Sequence, residues 1–275
     1  TDPRSSTTPG RSSPATWCAP PLVRSGKDPF KIVSAENTWQ TNLIGNNSGN
    51  LLFSTAATRI LSTKGTKVVA NGLRPNPDDA EEINEKYDAL VLPFANAFRP
   101  QFEGRLRRFA ELIERLSIPV VVFGCGAQAG LSFETEQLHS MSETVKRFAR
   151  AVLDRSASIG VRGEFTEGYL RGLGFRDVEV IGCPSMFMFG DRIGIEKVRK
   201  LGPESRIAVN APSSNAKLFG SRLGKMAPNY PNLTYVAQDR RELEQLLWGQ
   251  SVEAASKGGA FPANAFHPLS REDRV

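Results

Sequence analysis

Residues 102–130 read FEGRLRRFAELIERLSIPVVVFGCGAQAG, and this stretch decides the fold. In its first half Phe102, Leu106, Phe109, Ile113 and Leu116 recur at the three- and four-residue spacing that lines up one face of an α-helix. Arg105, Arg107, Arg108, Glu111 and Glu114 stand between them, so the opposite face reads as solvated and laced by pairs one turn apart. Then the period changes. Pro119–Phe123 is apolar almost throughout, which suits a strand covered on both sides and hence a parallel sheet. Gly124, Gly126 and Gly130 follow at once, so the strand ends in a tight loop. Helix, buried strand and glycine loop in that order form the unit of an α/β fold.

The same rhythm extends outward. Strands are expected at Lys31–Ala35, Lys67–Ala70, Tyr87–Leu92, Ser158–Val161 and Val178–Ile181, in one largely parallel sheet with Pro119–Phe123. Helices are expected at Asn50–Leu61, Asp78–Asn84, Phe102–Leu116, Thr135–Leu153 and Gly163–Leu173, the last closed by Gly174 at C′. These elements make residues 29–190 an N-terminal α/β domain. Residues 1–28 are rich in Pro, Ser, Thr and Arg and read as a disordered arm. After residue 190 a second set begins: a helix at Ile195–Leu201, strands at Arg206–Asn210 and Leu233–Ala237, and a helix from Arg240 to about Ala255. Residues 191–275 therefore read as a linker and the start of a second α/β domain, incomplete because two or three strands make a poor sheet.

Composition narrows the function. No run of 18 apolar residues occurs, so no membrane span is expected. The net charge of +6 and pI of about 9.4 come without a nucleic-acid motif and fit an anionic small substrate better than a nucleic acid. Cys18, Cys125 and Cys183 lack CxxC or Cys/His spacing, which argues against a zinc site or disulfide framework and favours a reducing cytoplasm.

Three loops follow strands and precede helices, where open α/β sheets hold ligands. Gly45–Asn50 is small and polar and opens a helix; Gly49 and Asn50 could face an anion, or the segment is a turn with an N-cap. Gly124–Gly130 offers Gly124, Gly126 and Gln128 as candidate contacts, or is a plain glycine turn. Its G-x-G-x-x-x-G spacing is not the dinucleotide fingerprint, so no nicotinamide or other cofactor is expected. Cys125 within it reads as a small buried residue and not a nucleophile. In the third loop Arg162 stands between strand and helix, where a guanidinium can grip a carboxylate or phosphate in two places. The alternative is an arginine paired with Glu164 or Glu167. His139 reads as a surface residue and His267 lies in a Pro-flanked tail. No catalytic acid or base and no metal site is assigned.

The segments GNNSGNLLF (45–53), YDALVLPFANAFRPQF (87–102), IPVVVFGCGAQ (118–128), SIGVRGEFTEGYLRGLGF (158–175) and VEVIGCPSMFMF (178–189) together resemble the polysaccharide pyruvyl transferase family. The resemblance implies two Rossmann-like domains in a glycosyltransferase type-B arrangement. It implies transfer of a pyruvyl group from phosphoenolpyruvate to hydroxyls of a saccharide acceptor, usually as a cyclic ketal. Arg162 matches the arginine of the family's G-V-R motif, which the resemblance suggests holds the donor. Gly49–Asn50 stands where many members have a Gly–Asp pair, which removes a candidate base. The family's Arg-x-His-Gly type segment is not found before Val275, and His267 does not match it, so this chain alone is expected to be a poor catalyst. A sugar-nucleotide glycosyltransferase and a non-catalytic anion-binding α/β module stay open beside this reading, as does a homo-oligomer.

Overall fold

The computed structural model describes residues 15–18, 49–70, 75–130, 132, 135–191, 193–197, 199–210, 225 and 227–236. The chain falls into two compact units, one of Thr1–Leu43 and Asn50–Ile193, the other of Ile44–Gly49 and Gly194–Val275. The fold is mixed α/β, and its strand pairs are parallel.

The first unit is built on a four-stranded sheet of β1 (Ala15–Cys18), β2 (Lys67–Ala70), β3 (Ala89–Leu92) and β4 (Val120–Val122), in the order β2-β1-β3-β4. The interior position of β1 shows that residues 15–18 depart from the reading of residues 1–28 as a disordered arm; the rest of that segment lies outside the described residues. Thr16 pairs with Val68 on one side and Ala89 on the other, so the backbone of β1 is bonded on both edges. Thr and Trp favour extended backbone, and pairing on two sides outweighs the Pro- and Ser-rich surroundings. The strand expected at Lys31–Ala35 lies outside the described residues.

A further departure concerns sheet continuity. β5 (Ile159–Val161) and β6 (Val178–Val180) form a separate parallel pair and do not extend the ladder of β4. Val120 N–H donates to the Arg155 carbonyl, ahead of β5, at 3.3 Å. Beyond the strand, Gly124 and Cys125 N–H both donate to the Gly160 carbonyl at 3.1 Å, and an isolated bridge joins Cys125 to Val161. The two strands thus bond at their ends only. Glycine at 160 permits this approach, because a Cβ there would lie 2.6 Å from the Val122 carbonyl oxygen.

The helices follow the apolar periodicity. Glu103–Glu114 buries Leu106, Phe109, Ala110, Leu112 and Ile113, and Ser142–Leu153 buries Val145, Phe148, Ala149, Ala151 and Val152. The helix expected from Thr135 is broken into Glu136–His139 and Ser142–Leu153. The two long helices are linked by Arg147, whose Nε and Nη2 each donate to a Glu114 oxygen at 2.7 Å. That bond holds the Glu114 carboxyl below its ordinary pKa. Helix Glu164–Gly172 closes with Gly174 at φ +99°, and Phe175 N–H returns to the Leu170 carbonyl at 3.0 Å, as a left-handed C′ residue allows.

The core holds one feature that periodicity alone does not suggest. The loop after β3, residues 93–99, enters it twice. Phe94 and Phe98 are fully buried. Phe94 meets Phe109 edge-on at 5.0 Å between centroids, and Phe98 meets Phe148 edge-on at 6.2 Å. Both ends of this short loop are therefore anchored on the helices Glu103–Glu114 and Ser142–Leu153.

In the second unit β7 (Ile207–Val209) pairs with β8 (Leu233–Tyr235), and Asn210 Nδ2 caps the pair on the Val236 carbonyl at 2.7 Å. The helix expected at Ile195–Leu201 is absent among the described residues. Ile195 and Leu201 are 89% and 66% exposed, so their apolar spacing has no surface to bury against, and seven residues do not hold a helix unaided. The helix expected from Arg240 lies outside the described residues.

Phe98→Ala is expected to cost about 3–5 kcal/mol in urea unfolding, because it opens a cavity among packed rings. Phe189→Ala, at a ring 84% exposed, is expected to change stability by no more than about 0.5 kcal/mol.

Candidate functional site

The loops after β3, β4 and β5 meet beyond the C-terminal ends of those strands, and backbone hydrogen bonds stitch them together. Gly126 N–H donates to the Ala95 carbonyl at 2.6 Å, Phe98 N–H to Gly126 at 3.2 Å and Gln128 N–H to Phe98 at 3.0 Å. Arg162 N–H donates to the Cys125 carbonyl at 2.8 Å. Ala127 N–H donates to Oγ1 of the buried Thr166 at 2.9 Å. These bonds bring Gly126 and Arg162 side by side.

They also change the reading of the glycine loop. The N–H groups of residues 124–128 all have partners inside the protein, so this loop is not a cradle of open donors. Its glycines serve close packing. Gly124 has φ +73°, and a Cβ there would lie 2.9 Å from Pro184 Cδ. A Cβ on Gly126 would lie 2.9 Å from Asn96 Oδ1 and 3.2 Å from the Ala95 carbonyl oxygen. Any part Gly124 and Gly126 play toward a donor is therefore indirect, through the neighbours they let in. Gln128 is exposed, and its carbonyl accepts from Gln137 Nε2 at 3.4 Å.

Arg162 is the charged centre of the cluster. Its Nη1 donates to Asn96 Oδ1 at 3.2 Å, and its guanidinium lies over the Phe53 ring, 5.2 Å from the centroid. Its Nε is shielded from solvent and has no hydrogen-bond partner. The alternative reading, pairing with Glu164 or Glu167, is not what forms. Glu167 takes Arg171 at 2.8 Å, and no ion pair among the described residues includes Arg162. Arg107, Arg115, Arg147 and Arg171 have carboxylate partners, whereas among the described residues Arg162, like Arg59 and Arg105, has none; its side chain meets an amide oxygen and a ring. Its positive charge is held in place without being neutralised.

Phe53 comes from the helix Gly49–Leu61 and is buried. Gly49 and Asn50 form the first turn of that helix and are half-buried; Gly45–Ser48 lie outside the described residues. The sequence reading did not single out Phe53 or Asn96. Asn96 had a signal: a polar residue midway between Phe94 and Phe98 in FANAF, the alternation of a segment that buries one face and exposes the other.

Cys125 lies at the centre of these loops and is completely buried, and burial pushes its thiol up to about 12, against the opposing pull of a backbone hydrogen bond at Ala97 and the charge of nearby Arg162. A thiol held that far from ionisation is no nucleophile. His139 is exposed and lines a separate cavity of about 390 Å³ with Thr135, Glu164, Gly168 and Tyr169. Among the described residues no group of three His, Cys, Asp or Glu side chains could hold a metal ion, and no helix is long and apolar enough to cross a membrane.

The arrangement defines an α/β protein with an un-neutralised arginine where three strand-end loops converge. The polysaccharide pyruvyl transferase family matches residues 47–243, and the chain belongs to that family. Membership implies a transferase of polysaccharide biosynthesis with a saccharide acceptor. No curated protein and no solved structure matches the chain.

Removing Cys125 checks this account of the loops. At pH 8 Cys125→Ala is expected to leave the native protein's reaction with a thiol reagent unchanged and to remove one reactive thiol after unfolding. Its folded pKa is raised, so the stability this thiol contributes is complete below the ordinary value of 9.0 and is lost as pH rises toward 12. The variant should therefore lose stability less steeply than the wild type across that window in alkaline unfolding titrations.

Proposed function

We propose that this chain transfers a pyruvyl group from phosphoenolpyruvate to hydroxyls of a saccharide, forming a cyclic ketal. One observation carries the reading: half-buried Arg162 has no carboxylate partner among the described residues, at the point where the strand-end loops converge. Phosphoenolpyruvate is a compact trianion at neutral pH, with a carboxylate and a phosphate on adjacent carbons. A planar guanidinium suits either group and can take two oxygens at once. On this reading Asn50, on the helix that carries Phe53, lies on the donor side, and Gly124 and Gly126 act on it only through the neighbours they let in.

The reaction needs a proton added to the methylene carbon, which leaves an oxocarbenium-like centre at C2. One hydroxyl attacks C2 and loses its proton. The C2–O bond to phosphate breaks, phosphate departs with its electron pair, and a second hydroxyl closes the ring with loss of another proton. Negative charge gathers on the leaving phosphate as its bond to C2 breaks. A fixed cation stabilises that charge most where it is neither hydrated nor already paired.

The parallel strands with loops at one end support a Rossmann-like first domain, and the parallel pair β7–β8 supports a second α/β unit. Phosphoenolpyruvate and the free thiols Cys125 and Cys183 both suit the cytoplasm.

Calorimetric titration with phosphoenolpyruvate tests the reading. Saturable binding is expected for the wild type, and Arg162→Lys should bind about tenfold or more weakly, a loss of roughly 1.4 kcal/mol or more, with folding stability changed by less than about 0.5 kcal/mol. Equal affinities would remove Arg162 from the site. Binding of a sugar nucleotide but not phosphoenolpyruvate would replace this reading with a glycosyltransferase.

A further inference from the structure

We infer that Asn96 is a positioning residue whose neutrality sets the charge of the site: it holds Arg162 by hydrogen bond while leaving the guanidinium's positive charge available to an anionic ligand. The inference rests on the donor-binding reading of Arg162 and adds to it a residue that neither the family match nor the sequence motifs single out.

Three observations support it. First, Asn96 Oδ1 is the hydrogen-bond acceptor of the Arg162 side chain, at 3.2 Å, and among the described residues the other group that meets the guanidinium is the Phe53 ring. An aspartate of the same shape would bind Arg162 more firmly, as carboxylates do elsewhere in this chain, where Arg147 meets Glu114 at 2.7 Å and Arg171 meets Glu167 at 2.8 Å. It would also place a negative charge against the arginine and repel an incoming anion. Stability favours an acid at this position, and anion binding favours an amide.

Second, Asn96 is held where it is. It is exposed, midway between the fully buried Phe94 and Phe98, so the loop cannot swing without unpacking one of two rings. Third, the facing loop makes room for it. A Cβ on Gly126 would come within 2.9 Å of Asn96 Oδ1, so a side chain there would push the amide off Arg162. The Arg162 Nε, shielded and without a partner, fits a guanidinium whose final set of hydrogen bonds includes a ligand and forms with some rearrangement of the side chain.

The test compares Asn96→Asp, Asn96→Ala, Gly126→Ala and Arg162→Lys with the wild type, measuring phosphoenolpyruvate affinity by calorimetry and melting temperature on the same samples. The expected order is unusual. Asn96→Asp should melt no lower than Asn96→Ala yet bind phosphoenolpyruvate on the order of tenfold more weakly than the wild type, and more weakly than Asn96→Ala. Gly126→Ala should also weaken binding, by a route that adds no charge. A purely structural asparagine would give the opposite: the aspartate, as the better acceptor, would preserve affinity better than alanine. Wild-type affinity in Asn96→Asp and Gly126→Ala, together with weakened binding in Arg162→Lys, overturns the inference and leaves the donor site standing. Wild-type affinity in Arg162→Lys overturns both. Should Asn96→Asp fail to fold, Gly126→Ala decides: unchanged affinity in a folded protein overturns the inference.

Discussion

The burial of Phe94 and Phe98 is the constraint on which the rest of the site depends. A loop after a strand ordinarily has freedom to move. This one has two aromatic rings driven into the core against Phe109 and Phe148, each burial contributing roughly 1.5–3 kcal/mol. With both ends fixed, the backbone between them is presented in one conformation. The carbonyls of Ala95 and Phe98 accept from Gly126 and Gln128, which ties down the loop after β4. The Cys125 carbonyl then receives Arg162 N–H and ties down the start of the third loop. Packing in the core is converted, loop by loop, into the placement of a single cation.

That cation is held differently from the ion-paired arginines of the helices. Arg147 and Arg171 sit on helix surfaces with carboxylate partners, where ion pairing is worth little and nothing else is asked of the charge. Arg162 is half-buried, rests on an aromatic face and bonds to a neutral amide. A shielded Nε without a partner costs about 1–3 kcal/mol of desolvation. A protein needing only stability would remove that cost with an acidic neighbour. Arg99 Nε is unpartnered in the same way, so what sets Arg162 apart is its place where the three strand-end loops converge; there an anionic donor could supply the partner that a neutralised arginine could not attract.

Much of the fold was legible in the sequence because it depends on periodicity. The stripe from Leu106 to Ile113 and the apolar run Val120–Val122 report local geometry, and local geometry recurs in sequence at a fixed spacing. β1 was not legible: four residues show no period, and ATWC is pinned by neighbours on both sides that lie far along the chain. The segment Ile195–Leu201 failed in the opposite way, with helical spacing but no surface to bury against. The site divides similarly. Arg162 stood out because a strand-to-helix junction is a local feature. Its partner Asn96 lies 66 residues away and Phe53 further still, and only the packed structure shows that they meet. The glycines at 124 and 126 were visible, yet their role was not. A glycine loop reads as open N–H donors until its neighbours arrive to occupy them.

The most direct measurement is a crystal structure of this chain with phosphoenolpyruvate. The account predicts one anionic group of the donor within hydrogen-bonding distance of the Arg162 guanidinium, framed by the loops that carry Asn96 and Gly126, with the Phe53 ring beneath the arginine. Phosphoenolpyruvate bound elsewhere, with Arg162 still resting only on Asn96 and Phe53, would contradict it.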